Sequence, residues 1–459
     1  MSLRSVRTQL VPQLRPLVQL AGPVVLAELG WMFMGVVDTL MVRHLGPEAI
    51  GAVGMGSSVF LAVAVFGMGI LLGLDPLISQ AYGARDLNEC HRWLWHGCLV
   101  GGLASIPLTA GTLLLPELVE SAGVRPEVLA LAGGYLRTLS LSLFPLLLFF
   151  AARRYLQSMG VVRPVMAALL LANVVNAVAN WLLVNGHLGF PRLGVVGSAW
   201  STTAARVFML AVLVWAIARH ERETGSGLWT SFDGVEWRRV RRLCALGVPA
   251  ALQMTMEVGV FALATVLAGK LSAVSLASHQ IALNMWSLGF MVPLGLASGG
   301  SVLVGQAVGA RDLARARWAG WAALASGAGF MTLVGFVFLA VPRWLVSLFT
   351  PEETVIATGA TLLVVCSGFQ LFDGVQVIAT GALRGLGETR TPMFWNLAGH
   401  WCFGLPVGYV LAFRLGWDVV GLWIGLALGL LLVGGVLTAA WHRRTRPLPP
   451  TPDTARAAC

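Results

Sequence analysis

Two carboxylates, Glu257 and Asp373, lie in the middle of long apolar stretches. The stretches read LGVPAALQMTMEVGVFALATVLAG and LLVVCSGFQLFDGVQVIATGAL. Each is long enough to cross a bilayer as a helix, which takes about 20 apolar residues. A charged side chain at mid-bilayer costs about 2.5–3.5 kcal/mol on insertion scales, so it persists where it has a partner. Two acids at similar depth can share a cation, or one can hold a proton against the charge of the other. Their oxygens are hard ligands, suited to Na+, K+ or H+ rather than to soft metals.

A second polar group is spelled out earlier in the chain. Asp38 stands near the end of the first apolar stretch, and NVVNAVAN carries Asn173, Asn176 and Asn180. Asn176 and Asn180 are four apart and share one face of a helix, and Thr202 follows early in the next stretch. An aspartate, two asparagines and a threonine can form a small polar cavity for a proton or Na+. The plainer account of such residues is hydrogen bonding between helices, which is common in membranes; a charge at the same level as the asparagines favours a functional one. Glu28, Trp31 and Gln253 are weaker candidates for contact with a substrate. Asp75 can cap a loop, and Arg206 can be a counter-ion or can snorkel to the interface. His279 and His400 are each alone in their stretches and read as hydrogen bonders.

The elements that position these groups follow from composition. The 459 residues are 57% hydrophobic and only 11% charged, with a mean hydropathy of +0.78. A soluble domain carries about twice that charge fraction. The class is all-α and polytopic; strands of a membrane barrel would be short and alternating. Twelve spans are expected, near 17–42, 49–75, 93–115, 129–152, 164–187 and 195–218, then 246–269, 274–301, 317–341, 355–382, 393–413 and 419–441. The formal charge of +10 is carried almost entirely by arginine. Most of these arginines, including Arg85, Arg153, Arg154, Arg241, Arg242, Arg311 and Arg384, fall at one side of the spans if the N-terminus is inside. Basic segments are retained in the cytoplasm, which puts both termini there, and the positive charge needs no nucleic-acid partner. Six cysteines show neither metal nor disulfide spacing. The expected layout is a cytoplasmic N-terminus over 1–16, an N-lobe over 17–218, a charged linker over 219–243, a C-lobe over 244–441 and a polar, Pro-rich tail over 442–459.

The chain also repeats itself. QAYGARD at 80–86 returns as QAVGARD at 306–312, an offset of 226. The same offset pairs Pro23 with Pro249 and Gly69 with Gly295, while Leu156, Gly160 and Arg163 pair with Leu383, Gly387 and Arg390 one residue further on. Six spans per copy is an even number, so both copies enter the membrane with the same polarity. Parallel repeats of this kind are related by an axis along the membrane normal and enclose a central cavity. The acids break the repeat: Asp38 aligns with Ala264, Glu257 with Trp31 and Asp373 with Leu146. The two halves therefore carry different polar groups on one scaffold.

These motifs together resemble the multidrug and toxic compound extrusion (MATE) family. MGVVDTLMVRHLG at 34–46, LGLDPLISQAYGARD at 72–86, the Glu257 segment QMTMEVGVF and QLFDGVQVIATGALRGLGETRTP at 370–392 occur in that family's order. Pro76 stands where threonine is usual. The acids Glu257 and Asp373 point to the NorM-like branch. The resemblance implies a secondary antiporter that exports organic, mainly cationic or amphipathic compounds in exchange for Na+ or H+. It implies a cation or proton site in the C-lobe at Glu257 and Asp373, where Na+ is a candidate ligand, and another in the N-lobe at Asp38, Asn176, Asn180 and Thr202. No cofactor is implied. The expected setting is the cytoplasmic membrane of a bacterium, in contact with lipid, and the expected working unit is a monomer. A flippase of lipid-linked precursors is the alternative on the same scaffold; it would need basic groups in its cavity for phosphate. A membrane enzyme would need a nucleophile, a metal set or a phosphate loop, and the chain has no HExxH, GxSxG or P-loop pattern.

Overall fold

The computed structural model describes residues 3–120, 126–231 and 233–446; the expected tail beyond residue 446 lies outside them. The described residues are helical almost throughout and contain no strand. Ten helices are long and apolar enough to cross a membrane, and the bent pair Ala130–Ser140 and Leu143–Ser158 makes an eleventh span. The segment from Arg390 to Arg414 is helical without interruption and supplies the twelfth. The fold is thus a polytopic helical bundle of twelve spans in two parallel six-helix repeats around a central cavity.

In order, the first six spans are Leu3–Val42, Pro47–Leu71 continued by Leu74–Gly83, Leu87–Glu120, the bent pair, Arg163–Asn185 and Val195–Thr224. The second six are Trp237–Leu271, Ala273–Gly309, Leu313–Ala340, Glu353–Gly385, Arg390–Arg414 and Asp418–Arg444. The first helix starts at Leu3, well ahead of the expected residue 17, because helix formation continues past the apolar stretch through Pro12 and Pro16. The connection between halves shortens to residues 225–236. It is fastened to the third span: Ser226 and Ser231 hydrogen-bond His91, the Trp95 indole donates to the Leu228 carbonyl, and Arg92 pairs with Asp233.

The repeated heptapeptide has a local structural meaning. In QAYGARD the helix closes with the amide of Arg85 bonded to the Tyr82 carbonyl and that of Asp86 to the Ala81 carbonyl. These are the two bonds of a Schellman stop, with the left-handed position filled by arginine at φ 62°. Asp86 then accepts from the amide of Glu89 and opens the third span. QAVGARD repeats each step: Arg311 at φ 61°, its amide on Val308, that of Asp312 on Ala307, and Asp312 accepting from Arg315.

The apolar core divides with the halves, with one exchange. Leu17 and Ala21 of the first span pack into the second half beside Leu296 and Ala297, while Leu243 and Ala251 of the seventh span belong to the core of the first half. Each half therefore lends the start of its leading helix to the other. The exchange is reciprocal to the residue. A Cβ on Gly69 would stand 2.4 Å from Ala251 Cα, and one on Gly295 would stand 2.4 Å from Val25; residues 25 and 251 are themselves repeat partners. A Cβ on Gly83 would stand 2.0 Å from the Gln306 carbonyl oxygen, and one on Gly309 would stand 1.9 Å from that of Gln80. Only glycine permits backbones to approach so closely.

These contacts lie at the end of the bundle that carries residues 225–236 and the QAxGARD turns, here called the basic end. Two glutamine side chains complete the closure. Gln80 donates to the Gly385 carbonyl at 3.0 Å and Gln306 to the Ser158 carbonyl at 2.9 Å. Asp75 adds an ion pair between halves, 3.2 Å to Arg384, and a second within its own half, 3.6 Å to Arg154. A cleft of about 260 Å³ adjoins this closure, bordered by Pro76, Gln80, Arg242 and Gly387.

Candidate functional site

The first-half cluster assembles as a closed hydrogen-bonded set. Asp38, at 4% exposure, accepts at Oδ1 from Asn176 Nδ2 and Asn180 Nδ2, each at 2.9 Å, and at Oδ2 from Thr202 Oγ1 at 2.7 Å. Asn176 Nδ2 also reaches Thr202 Oγ1 at 3.3 Å. The fifth span places both amides on one face, and Thr202 comes from the sixth span packed beside it. The Oδ1 atoms of Asn176 and Asn180 are buried without a hydrogen-bond partner. Asn173 lies outside the cluster; its amide ties the first and fifth spans by donating to the Gly30 carbonyl.

The second-half acids are arranged differently. Asp373 is fully buried and accepts one hydrogen bond, from the Trp286 indole to Oδ2 at 2.9 Å; its Oδ1 has no partner. Glu257 is partly exposed, lies near the Gln376 side chain, and interacts electrostatically with Asp373. Gln376 in turn donates to Asn396 at 2.9 Å. Trp286 is stacked on Phe290 at 5.0 Å between ring centroids and lies 4.7 Å from Phe261. Tenth, seventh, eighth and eleventh spans all contribute. Neither lobe groups three or more His, Cys, Asp or Glu residues as a metal site among the described residues.

The weaker candidates separate. Glu28 forms an ion pair with Arg153, so its carboxylate is committed inside the first half. Trp31 meets Phe150 edge to face at 5.9 Å. Gln253 is buried. Arg153 and Arg154, expected in a loop at the inner side, instead lie buried in the helix Leu143–Ser158; the acids Glu28 and Asp75 compensate their charge there. Arg206 does not snorkel: it is buried among the helices and donates to Ser142 Oγ at the kink of the fourth span. His279 is satisfied on both nitrogens, by Trp423 at 3.0 Å and Thr265 at 2.9 Å, whereas both ring nitrogens of buried His400 lack partners. Trp286 and Gln376 were not visible as site residues in the sequence. A tryptophan in a chain with seventeen of them reads as an interfacial anchor.

The MatE family model matches twice, over residues 23–182 and 249–410. The chain belongs to the MatE family. The two matches begin 226 residues apart, the same interval as the internal repeat. A protein of Mesorhizobium japonicum named probable multidrug resistance protein NorM is 34% identical over 447 residues, covering 95% of both chains. A protein of the same name from Rhodopseudomonas palustris is 35% identical, covering 96% of this chain and 93% of the relative. Such relatives place the chain in the NorM-like branch of a transporter family, not among enzymes. The crystal structure of the eukaryotic MATE transporter AtDTX14 superposes with a TM-score of 0.85 at 22% identity, covering 95% of this chain and 98% of that one. Within the MatE matches lie Asp38, Asn176, Asn180, Glu257 and Asp373; Thr202 and Arg206 fall between them.

Proposed function

We propose that this protein is a secondary active multidrug efflux antiporter, exporting organic, mainly cationic compounds from a bacterial cytoplasm in exchange for Na+ or H+. The observation that carries this reading is the uncompensated acid pair of the C-terminal lobe. Asp373 feels the charge of Glu257 through space, and no arginine or lysine of that lobe is buried among the described residues. Negative charge without a resident counter-ion in a low-dielectric cavity attracts cations strongly. The free Oδ1 of Asp373 and the partly exposed Glu257 supply oxygens that a proton, Na+ or a cationic drug would compete for. Asp38 with Asn176, Asn180 and Thr202 is proposed as the second protonatable site. The NorM names of the relatives support drug export, and the acidic character of the cavity disfavours the phosphate-bearing cargo of a flippase.

The basic end is read as cytoplasmic, on the arginine bias. Its closure by Gly83, Gly309, Gln80 and Gln306 then supports an outward-facing state. In that state an ion or proton neutralises the acids and releases the cationic compound outward; when the basic end opens, the ionised acids recapture cargo. A ligand shifts this equilibrium only by its differential affinity for the two states. The proposed lobes are 17–218 and 244–441, and the proposed working unit is a monomer.

The test is efflux of a fluorescent organic cation from proteoliposomes under an imposed Na+ gradient or an imposed pH gradient. Wild-type efflux driven by one gradient, reduced at least tenfold in Glu257→Gln/Asp373→Asn, is the expected outcome and names the coupling ion. A folded wild type that moves no organic cation under either gradient would overturn the antiporter reading.

A further inference from the structure

Charge accounting inside the first lobe isolates one pair. Among the described residues, the carboxylates and guanidiniums buried within its spans are those of Asp38, Asp75, Arg153, Arg154 and Arg206, joined by half-buried Glu28; Arg137 of the fourth span is exposed. Glu28 is committed to Arg153 and Asp75 to Arg154, with Arg384 of the other lobe as a second partner of Asp75. Asp38 and Arg206 remain. Arg206 has no carboxylate within ion-pair distance among the described residues. Its guanidinium lies 4.3 Å from the Phe60 ring centroid and 6.0 Å from that of Trp31, and donates to Ser142. A buried guanidinium needs compensation. Aromatic faces give part of it, and its charge reaches Asp38 through space, as it does Tyr135. Thr202 and Arg206 are one helical turn apart, so the sixth span presents both to the same region. The Tyr135 hydroxyl, hydrogen-bonded to Ser57 at 3.0 Å, is the other titratable group facing this pair.

We propose that Arg206 is a tethered counter-cation for Asp38, which takes the electrostatic place of a mobile cation in the N-terminal lobe and leaves transported cations to the C-terminal acids. The inference rests on the antiporter reading above and narrows it. Every polar contact of Asp38 is an N–H or O–H donor, an arrangement that satisfies an ionised carboxylate. With the Arg206 charge acting on the same carboxylate, any second positive charge brought to Asp38 leaves the guanidinium uncompensated. A proton carries the same charge but needs no coordination shell and no space beside the guanidinium.

Two measurements decide it. In the first, thermal stability is measured for the full-length protein in detergent as a double-mutant cycle. Asp38→Asn leaves the guanidinium without its acid and is expected to lower the midpoint by about 5 °C; adding Arg206→Met is expected to recover most of that loss. Effects that simply add would overturn the pairing. In the second, tetraphenylphosphonium binding is measured by equilibrium dialysis on the Glu257→Gln/Asp373→Asn background. Arg206→Met is expected to raise affinity about tenfold, the rise is expected to vanish with Asp38→Asn, and Arg206→Lys is expected to bind as the background does. No gain with Arg206→Met, or an equal gain with Arg206→Lys, would overturn the proposal. Should the background itself bind as tightly as wild type, the C-terminal assignment fails, while the stability cycle still decides the pairing.

Discussion

At the residue scale the two lobes solve the burial of a carboxylate in opposite ways. Asp38 is saturated with three donors; Asp373 has one, and one oxygen stands free. The Trp286 indole therefore does two things: it favours the ionised carboxylate and fixes which oxygen is open. Trp286→Phe keeps the ring stack on Phe290 and removes the donor. An unmet hydrogen bond at a buried charge costs about 1–3 kcal/mol, so affinity for an organic cation is expected to fall about tenfold at neutral pH. Equilibrium dialysis checks this; a variant that binds like wild type would remove Trp286 from the site. The acids were legible in the sequence because charge inside an apolar span is rare and costly. The Trp286 partner was not, because a tryptophan in such a span looks the same whether it faces lipid or a carboxylate.

At the scale of elements, the least regular span stands beside the acids. The segment from Arg390 to Arg414 alternates α-helix with π-helix over Leu397–Gly404 and Val410–Arg414. π turns inside α-helices are frequent at functional sites. Asn396, the residue just before the first π turn, accepts from Gln376, whose side chain lies near Glu257. The irregular helix is held against the last span by glycines on both sides: a Cβ on Gly425 would stand 2.3 Å from Gly408 Cα and 2.5 Å from the Gly404 carbonyl oxygen. Gly425→Val must push these backbones apart and is expected to cost about 1–3 kcal/mol through overpacking. Loss of drug-cation affinity should accompany the fall in melting temperature, whereas Gly435→Val, at a position with open space around its Cβ, should change neither. The spans were countable from apolar length, but the π turns were not, because no residue pattern in RTPMFWNLAGHWCFGLPVGYVLAFR distinguishes them from α-helix.

At the scale of the whole molecule, the closure at the basic end is a set of paired weak contacts. Gln80 and Gln306 are repeat partners, and so are the residues whose carbonyls they reach, Gly385 and Ser158, at the interval of 227. Each such hydrogen bond is worth about 1 kcal/mol net. Removing both in Gln80→Ala/Gln306→Ala is expected to shift the balance between closed and open basic ends about thirtyfold, with each single variant giving about a fivefold shift. Distances between spin labels on the QAxGARD turns would report it; an unchanged distribution in the double variant would show that the glycine contacts alone hold the gate. The heptapeptide revealed the duplication at once. That its glutamine reaches across to the other copy could not be read, since a sequence repeat states which residues are equivalent and not which ones meet.

The reciprocity has a consequence for how such a molecule could arise. A surface in which residue 80 of one half meets residue 385 of the other, while 306 meets 158, is the self-complementary patch of a twofold homodimer. Six spans could have existed as a free subunit that closed its basic end by meeting a second copy of itself. In such a dimer every polar substitution appears twice, so an aspartate like Asp38 with its arginine would stand in both subunits, and a bare acid pair in neither or both. Joining the copies through residues 225–236 lifted that restriction. One half could then keep its acid neutralised from within while the other left its acids open, and a symmetric closure came to enclose an interior with a direction.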